Sequence, residues 1–129
     1  MFEIDREQFE TIVMDAVRAL PDAFRQRIAN LEFAVEDWAL PADYARITPS
    51  GSTLLGVYRG VPLPKRGAGY NMMLPDRIVI FQQPLQRMAT DGADLVNRIQ
   101  HVVKHEIAHY FGISDDRLRE LQALQHPRR

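Results

Sequence analysis

The sequence predicts an α+β fold: helical periodicity dominates both ends, strand-like apolar runs lie between them, and one long amphipathic pattern carries a cluster of histidines. From Asp5 to Leu20, Phe9, Ile12, Val13, Ala16, Val17 and Leu20 recur at three- and four-residue steps, which predicts an amphipathic helix. Asp5 followed by Gln8 is a capping-box pair, and Pro21 ends the pattern because it has no N–H to continue the ladder. A short second helix starting at Pro21 would carry Phe24 and Ile28.

Strands are expected at Leu31 to Val35 and at Thr53 to Arg59, the second bounded by Pro49-Ser50-Gly51 and Gly60. The stretch Asp37 to Ser52 reads as irregular. Gly60 to Asp76 holds three prolines and three glycines, so it reads as a long surface loop, the kind of segment that serves as a lid or binding loop. Arg77-Ile78-Val79-Ile80-Phe81-Gln82 is the clearest strand, with Pro84 as its terminator. The helical period returns at Asp91 and runs to Gly112, a residue suited to a left-handed C-cap, and a last helix from Ser114 would carry Leu118, Leu121 and Leu124.

With 129 residues, no internal repeat and no break in composition, the chain is expected to form one domain over residues 1–129. Sixteen basic against 17 acidic residues, a formal charge of −1, leave no field to hold a polyanion, so nucleic acid is not an expected partner. No cysteine is present, which excludes disulfides and thiolate ligands; any metal must sit on His, Asp or Glu. No apolar run approaches the roughly 18–20 residues needed to cross a bilayer, so no membrane partner is expected. The acidic opening Met1-Phe2-Glu3-Ile4-Asp5 lacks the basic and apolar regions of a secretory signal, and a cytoplasmic location is the expectation.

Residues 105–109 read His-Glu-Ile-Ala-His within the long helix. Residues four apart on a helix lie one turn above the other, so two imidazoles there can converge on one ion at about 2.0–2.1 Å. On a wheel of roughly 100° per residue, Leu95, Val96, Ile99, Val102, Val103, Ile107 and Tyr110 form one apolar arc. Glu106 falls inside that arc, between Val102 and Ile99, while His109 and then His105 move toward its edge. A buried carboxylate is costly without a cation or strong hydrogen bonds nearby, and a zinc ion would supply the cation. His101 lies further toward the polar side with Val102 after it, and is expected to face solvent; His126 falls in the tail.

Two histidines leave zinc short of the three protein ligands usual in catalytic sites. Gly112 would let the chain leave the helix sharply and bring Asp115 back to the ion, with Asp116 as its rival. Ser114, Asp115 and Asp116 equally suit the cap and first turn of the last helix.

The extended pattern His105-Glu-x-x-His109-x-x-Gly112-x-x-Asp115 resembles the zincin metallopeptidases, and in particular a small bacterial zincin-like family. Leu54-Leu55-Gly56-Val57-Tyr58-Arg59-Gly60-Val61-Pro62-Leu63 and Leu74-Pro75-Asp76-Arg77-Ile78 resemble it too, so the likeness spans roughly residues 53–124. It implies a compact zincin-like core with a small mixed sheet over the active-site helix. It further implies one Zn2+ held by His105, His109 and Asp115, with Glu106 as general base. The third histidine and the later methionine turn of the metzincins are absent, since Met1, Met14, Met72, Met73 and Met88 all precede the motif.

The function expected is hydrolysis of a peptide or protein substrate by a metal-activated water with Glu106 as base. Tyr58, Tyr70 and Tyr110 are candidates to stabilise the oxyanion, Tyr110 last because it points to the core. Arg77 to Gln82 is the strand edge expected to receive an extended peptide. The other class is a zincin-fold binding or regulatory module whose zinc organises structure without turnover. A glutamate poised as a base has no use in such a module.

Overall fold

The computed structural model describes residues 2–28, 30–44, 54–60 and 76–112. The expected long loop between Gly60 and Asp76 and the last helix from Ser114 fall outside these residues. The first helix, α1 (Arg6–Arg18), opens with the expected capping box: Gln8 N donates to Asp5 Oδ1 at 2.8 Å and Asp5 N donates to Gln8 Oε1 at 3.3 Å. Its buried face is Phe9, Val13, Ala16 and Val17. A short α2 (Asp22–Arg27) follows with Pro21 at its N-cap.

Three strands form one mixed sheet in the order β1-β3-β2, where β1 is Glu32–Glu36, β2 is Gly56–Arg59 and β3 is Arg77–Phe81. β1 runs parallel to β3, with Glu32 opposite Arg77, and β2 runs antiparallel to it, with Gly56 opposite Ile80. Ile78, Val79, Ile80 and Phe81 are completely buried, as a strand covered on both faces requires, which explains a continuous apolar run where an alternating one marks a half-exposed strand. β3 is therefore the central strand. The expectation that it offers an edge to a peptide is overturned, because both of its sides are already hydrogen-bonded to neighbours.

One face of the sheet, with Phe33, Val35, Tyr58, Ile78 and Ile80, packs into the main core against α1 and the long helix α5 (Gly92–Tyr110). The opposite face carries a smaller cluster of Val57, Val79 and Phe81, with Ala34, Ala39 and Leu54 packed on it. Beside that cluster the Arg59 guanidinium donates to both Asp43 oxygens, at 2.9 and 2.7 Å, and to both Glu36 oxygens, at 2.9 and 3.1 Å. These carboxylates raise the pKa of Arg59, Asp43 contributing most, and keep its charge in place while it is partly buried.

Asp43 belongs to a four-residue helix, α3 (Pro41–Tyr44), in a stretch expected to be irregular. Pro41 occupies its first position, where a missing N–H costs nothing, and Asp43 also accepts from Leu40 N at 2.8 Å. A second unforeseen helix, α4 (Gln82–Met88), begins directly after β3. Pro84 sits in its first turn, among N–H groups that have no partner within a helix, so the residue expected only to end a strand also helps to start a helix. Gln82 is the first residue of α4 and not the last of the strand.

Gln82 and Gln86 are buried, and they fasten the N-terminal segment: Gln82 Nε2 donates to Ile4 O at 3.0 Å, and Ile4 N donates to Gln86 Oε1 at 2.9 Å. Arg6 Nε adds a bond of 2.6 Å to Gln82 Oε1. α5 starts at Asp91, whose side chain accepts from Asp94 N at 2.8 Å. No described helix is long and apolar enough to cross a membrane.

Candidate metal centre

The centre is built on the last turns of α5. Leu95, Ile99, Val102, Val103 and Ile107 bury one side of this helix in the core, which fixes its rotation and hence the direction in which each polar side chain leaves it. The same rotation buries Glu106, which keeps only 6% of its surface, and leaves His105 and His109 half-buried at the margin, as the helical wheel predicts.

The two imidazoles lie one turn apart with ring centroids separated by 4.5 Å and planes inclined at 70°. Glu106 Oε1 stands 3.2 Å from His109 Nδ1. Each of His105, Glu106 and His109 offers one donor atom, and these atoms all lie within 4.8 Å of one another. Two imidazole nitrogens with a carboxylate oxygen form a donor set suited to a borderline divalent ion such as zinc.

The helix ends as the sequence predicts. Gly112 adopts φ 79°, the one positive φ outside ordinary backbone space among the described residues, and its N–H donates to His109 O at 2.9 Å. This left-handed residue closes the end of α5 three positions after the second histidine. Asp115, Asp116, Tyr70 and His126 lie outside the described residues.

Opposite the histidine face stands the start of β2. A Cβ placed on Gly56 would fall 2.6 Å from Val102 Cγ1, 3.2 Å from Val79 O and 3.3 Å from Glu106 Cγ, so only glycine lets strand and helix approach this closely. Sequence reasoning assigned Gly56 no structural role, although a glycine inside a strand pattern is the known signal of such an approach. A cavity of about 210 Å³ opens between the two elements, bordered by Leu54, Leu55 and Gly56 on one side and by His101, Val102, His105 and Glu106 on the other.

His101 is exposed, as expected, yet it borders this cavity, a placement the wheel did not reveal. Its ring centroid is 6.2 Å from that of His105, further than the 4.5 Å between His105 and His109. Tyr58 and Tyr110 both lie in the core, 8% and 4% exposed, with their rings edge to face at 5.6 Å. Tyr110 was expected there. Tyr58, expected as a leading oxyanion candidate, is instead packed against it and does not border the cavity.

Among solved structures, a conserved hypothetical protein from Thermo thermophilus shares the fold, with a TM-score of 0.55 and 21% identity over 93% of this chain and 99% of that one. No curated protein matches the chain. The family model of the zincin-like metallopeptidases matches residues 28–124, which takes in the whole sheet, α5 and the histidine motif. Three quarters of the sequence thus conform to one family pattern, and the chain belongs to the zincin-like metallopeptidases.

Proposed function

We propose that the protein is a zinc-dependent peptidase in which His105, His109 and Asp115 hold one Zn2+ and Glu106 is the general base. The observation that carries this reading is a carboxylate buried at 6% exposure on the same helical turn as two half-buried imidazoles, with all three donor atoms within 4.8 Å. A bound zinc ion would polarise a peptide carbonyl and lower the pKa of water at its open position. Glu106 accepts the proton that the water gives up and returns it to the leaving amine. The apolar arc around Glu106 keeps bulk water from its carboxylate and so strengthens its interactions with both partners.

The substrate is a peptide or a protein segment in extended form. With β3 enclosed, the outer edge of β2 replaces it as the pairing edge, since β2 is bonded to β3 on one side only among the described strands and its first residue, Gly56, borders the cavity. Tyr70 is the remaining tyrosine of the three candidates for the oxyanion. A cytoplasmic setting completes the reading.

A second reading, a zinc-organised module without turnover, draws on the 3.2 Å approach of Glu106 to His109, because a carboxylate that only orients a ligand histidine adopts such a contact. Glu106→Gln separates the two. The peptidase reading expects zinc content close to that of the wild type with peptide hydrolysis lost by at least 100-fold, in line with the usual range for a general base. Turnover retained in Glu106→Gln would remove the base assignment.

A further inference from the structure

We infer that the exposed apolar surface where Trp38 meets α4 is a docking surface for a substrate segment that carries one carboxylate among aliphatic side chains; the inference rests on the peptidase reading. Five large hydrophobic side chains stand exposed among the described residues, and four of them, Trp38, Leu40, Tyr44 and Met88, belong to two segments that touch. One runs from Asp37 through α3 and the other is α4. Gln83 N donates to Asp37 O at 3.1 Å and Gln83 Nε2 to Asp37 Oδ1 at 3.2 Å, while the Arg87 guanidinium carbon lies 5.0 Å from the centre of the Trp38 ring. Apolar side chains scattered singly over a surface need no explanation, but tryptophan, arginine and methionine gathered together have the composition of a binding surface.

Charge selects the occupant. The carboxylates beside the patch are already committed, Asp37 to Arg6 at 2.5 Å and Glu36 to Arg59 at 2.9 Å. Arg87 has no carboxylate partner among the described residues, and its place over the Trp38 ring steadies the cation without using its N–H donors. An arginine held in this way presents a fork of donors to an incoming carboxylate, while Trp38 and Met88 offer apolar surface to the residues on either side of it. A basic segment would meet an uncompensated like charge instead.

The position of the surface in the fold ties it to the substrate. β1 and β3 run parallel, with Asp37 and Gln82 directly after their last residues, and the antiparallel β2 begins at Gly56 opposite Ile80. The patch and the start of β2 beside Glu106 therefore lie at the same end of the sheet, outside the carboxyl ends of two parallel strands, where open sheets commonly hold ligands. With β3 between β1 and β2, they are two strand spacings apart, roughly 10 Å. An extended segment rises about 3.3 Å per residue, so the residue that meets Arg87 stands about three or more positions from the scissile bond.

Trp38 is the sole tryptophan of the chain, so its emission reports on this surface alone. The probe is an acetylated, amidated heptapeptide with one glutamate between two leucines in a glycine and serine background, titrated into the zinc-loaded Glu106→Gln chain so that it is not cut. A saturable change in emission is expected, with a lysine-for-glutamate peptide binding at least about 5-fold more weakly, the scale of a partly exposed ion pair. Arg87→Glu changes an exposed side chain, so folding is not at stake, and should reverse the order of the two peptides. Met88→Ser should weaken the glutamate peptide without removing its lead over the lysine one.

An emission unmoved by the glutamate peptide, or an order unmoved by Arg87→Glu, would overturn the docking surface. Emission that shifts with protein concentration alone would assign the patch to a second copy of the chain and overturn it too. A peptide-library digest with the wild type separates the two claims. Cuts with no acidic residue enriched about three or more positions from the scissile bond sink the docking surface and leave the peptidase standing, whereas the expected order of binding with no peptide cut leaves the surface standing and sinks the peptidase.

Discussion

Gly56 and Glu106 meet across the junction of β2 and α5, so closely that a Cβ on the glycine would lie 3.3 Å from Glu106 Cγ. The same methyl would lie 2.6 Å from Val102 Cγ1, inside any tolerated contact. Gly56→Ala must therefore displace the Val102 side chain or push strand and helix apart. Overpacking of this kind costs about 1–3 kcal/mol, and thermal unfolding of the variant should show it as a lowered midpoint. A midpoint equal to that of the wild type would mean that the two elements are not in this contact.

Asp43 is 2% exposed and holds Arg59 through two hydrogen bonds. Asp43→Ala should destabilise the protein by roughly 2–4 kcal/mol, toward the lower end for an orphaned buried charge because Arg59 keeps Glu36 as a partner. Asp43→Ala combined with Arg59→Met should recover part of that loss, since the charge is then gone as well. Urea denaturation of the single and double variants checks this, and a double variant weaker than the single one would contradict it.

Asp94 supplies the pH-dependent prediction. The Arg98 guanidinium, at 2.8 Å, and the Thr90 backbone N–H, at 3.0 Å, hold its carboxyl below the usual carboxylate range, Arg98 contributing most. The folded chain then binds protons less readily than the unfolded one, so the stabilisation is complete above the unfolded pKa and is lost as the pH falls through the folded value. The urea midpoints of wild type and Asp94→Asn should differ at pH 7 and converge below about pH 4. A constant gap down to pH 3 would show that the charge of Asp94 is not its source.

Metal analysis addresses the proposed ligands one at a time. Purified wild type should carry one zinc per chain, and His105→Ala and His109→Ala should carry little. Asp115→Asn should weaken zinc retention against a competing chelator while Asp116→Asn leaves it near the wild-type level. The reverse pattern would transfer the third ligand to Asp116. Added zinc should also raise the unfolding midpoint of the wild type but not of His105→Ala, because an ion that binds only the folded state stabilises it by mass action.

Elements governed by periodicity were legible in the sequence. α1 with its Asp5 and Gln8 cap, β3, and α5 from Asp91 to its turn at Gly112 all depend on local pattern and local chemistry. Pro84 misled because proline has two meanings, the end of a strand and the first turn of a helix, and only the helical backbone after Phe81 decides between them.

The neighbours of each element were not legible. That β3 is central and not an edge depends on pairing with β1, whose residues lie 45 positions earlier, and no local pattern encodes that partner. The burial of Tyr58 and the place of His101 on the cavity likewise depend on β2 lying against α5. Within the centre itself, the helix wheel sufficed for His105, Glu106 and His109 because their arrangement is internal to one helix.

That last property shapes how the molecule can diverge. The donor atoms of His105, Glu106 and His109 all come from five successive residues, so their mutual spacing is inherited from the pitch of α5 and survives small drifts of the surrounding layers. The facing wall at Leu54 and Leu55 belongs to a separate segment and can slide or be resculpted by replacements anywhere in the sheet. Ancestral changes in those layers would retune what the molecule accepts long before they loosened its hold on an ion, leaving the two traits open to separate selection.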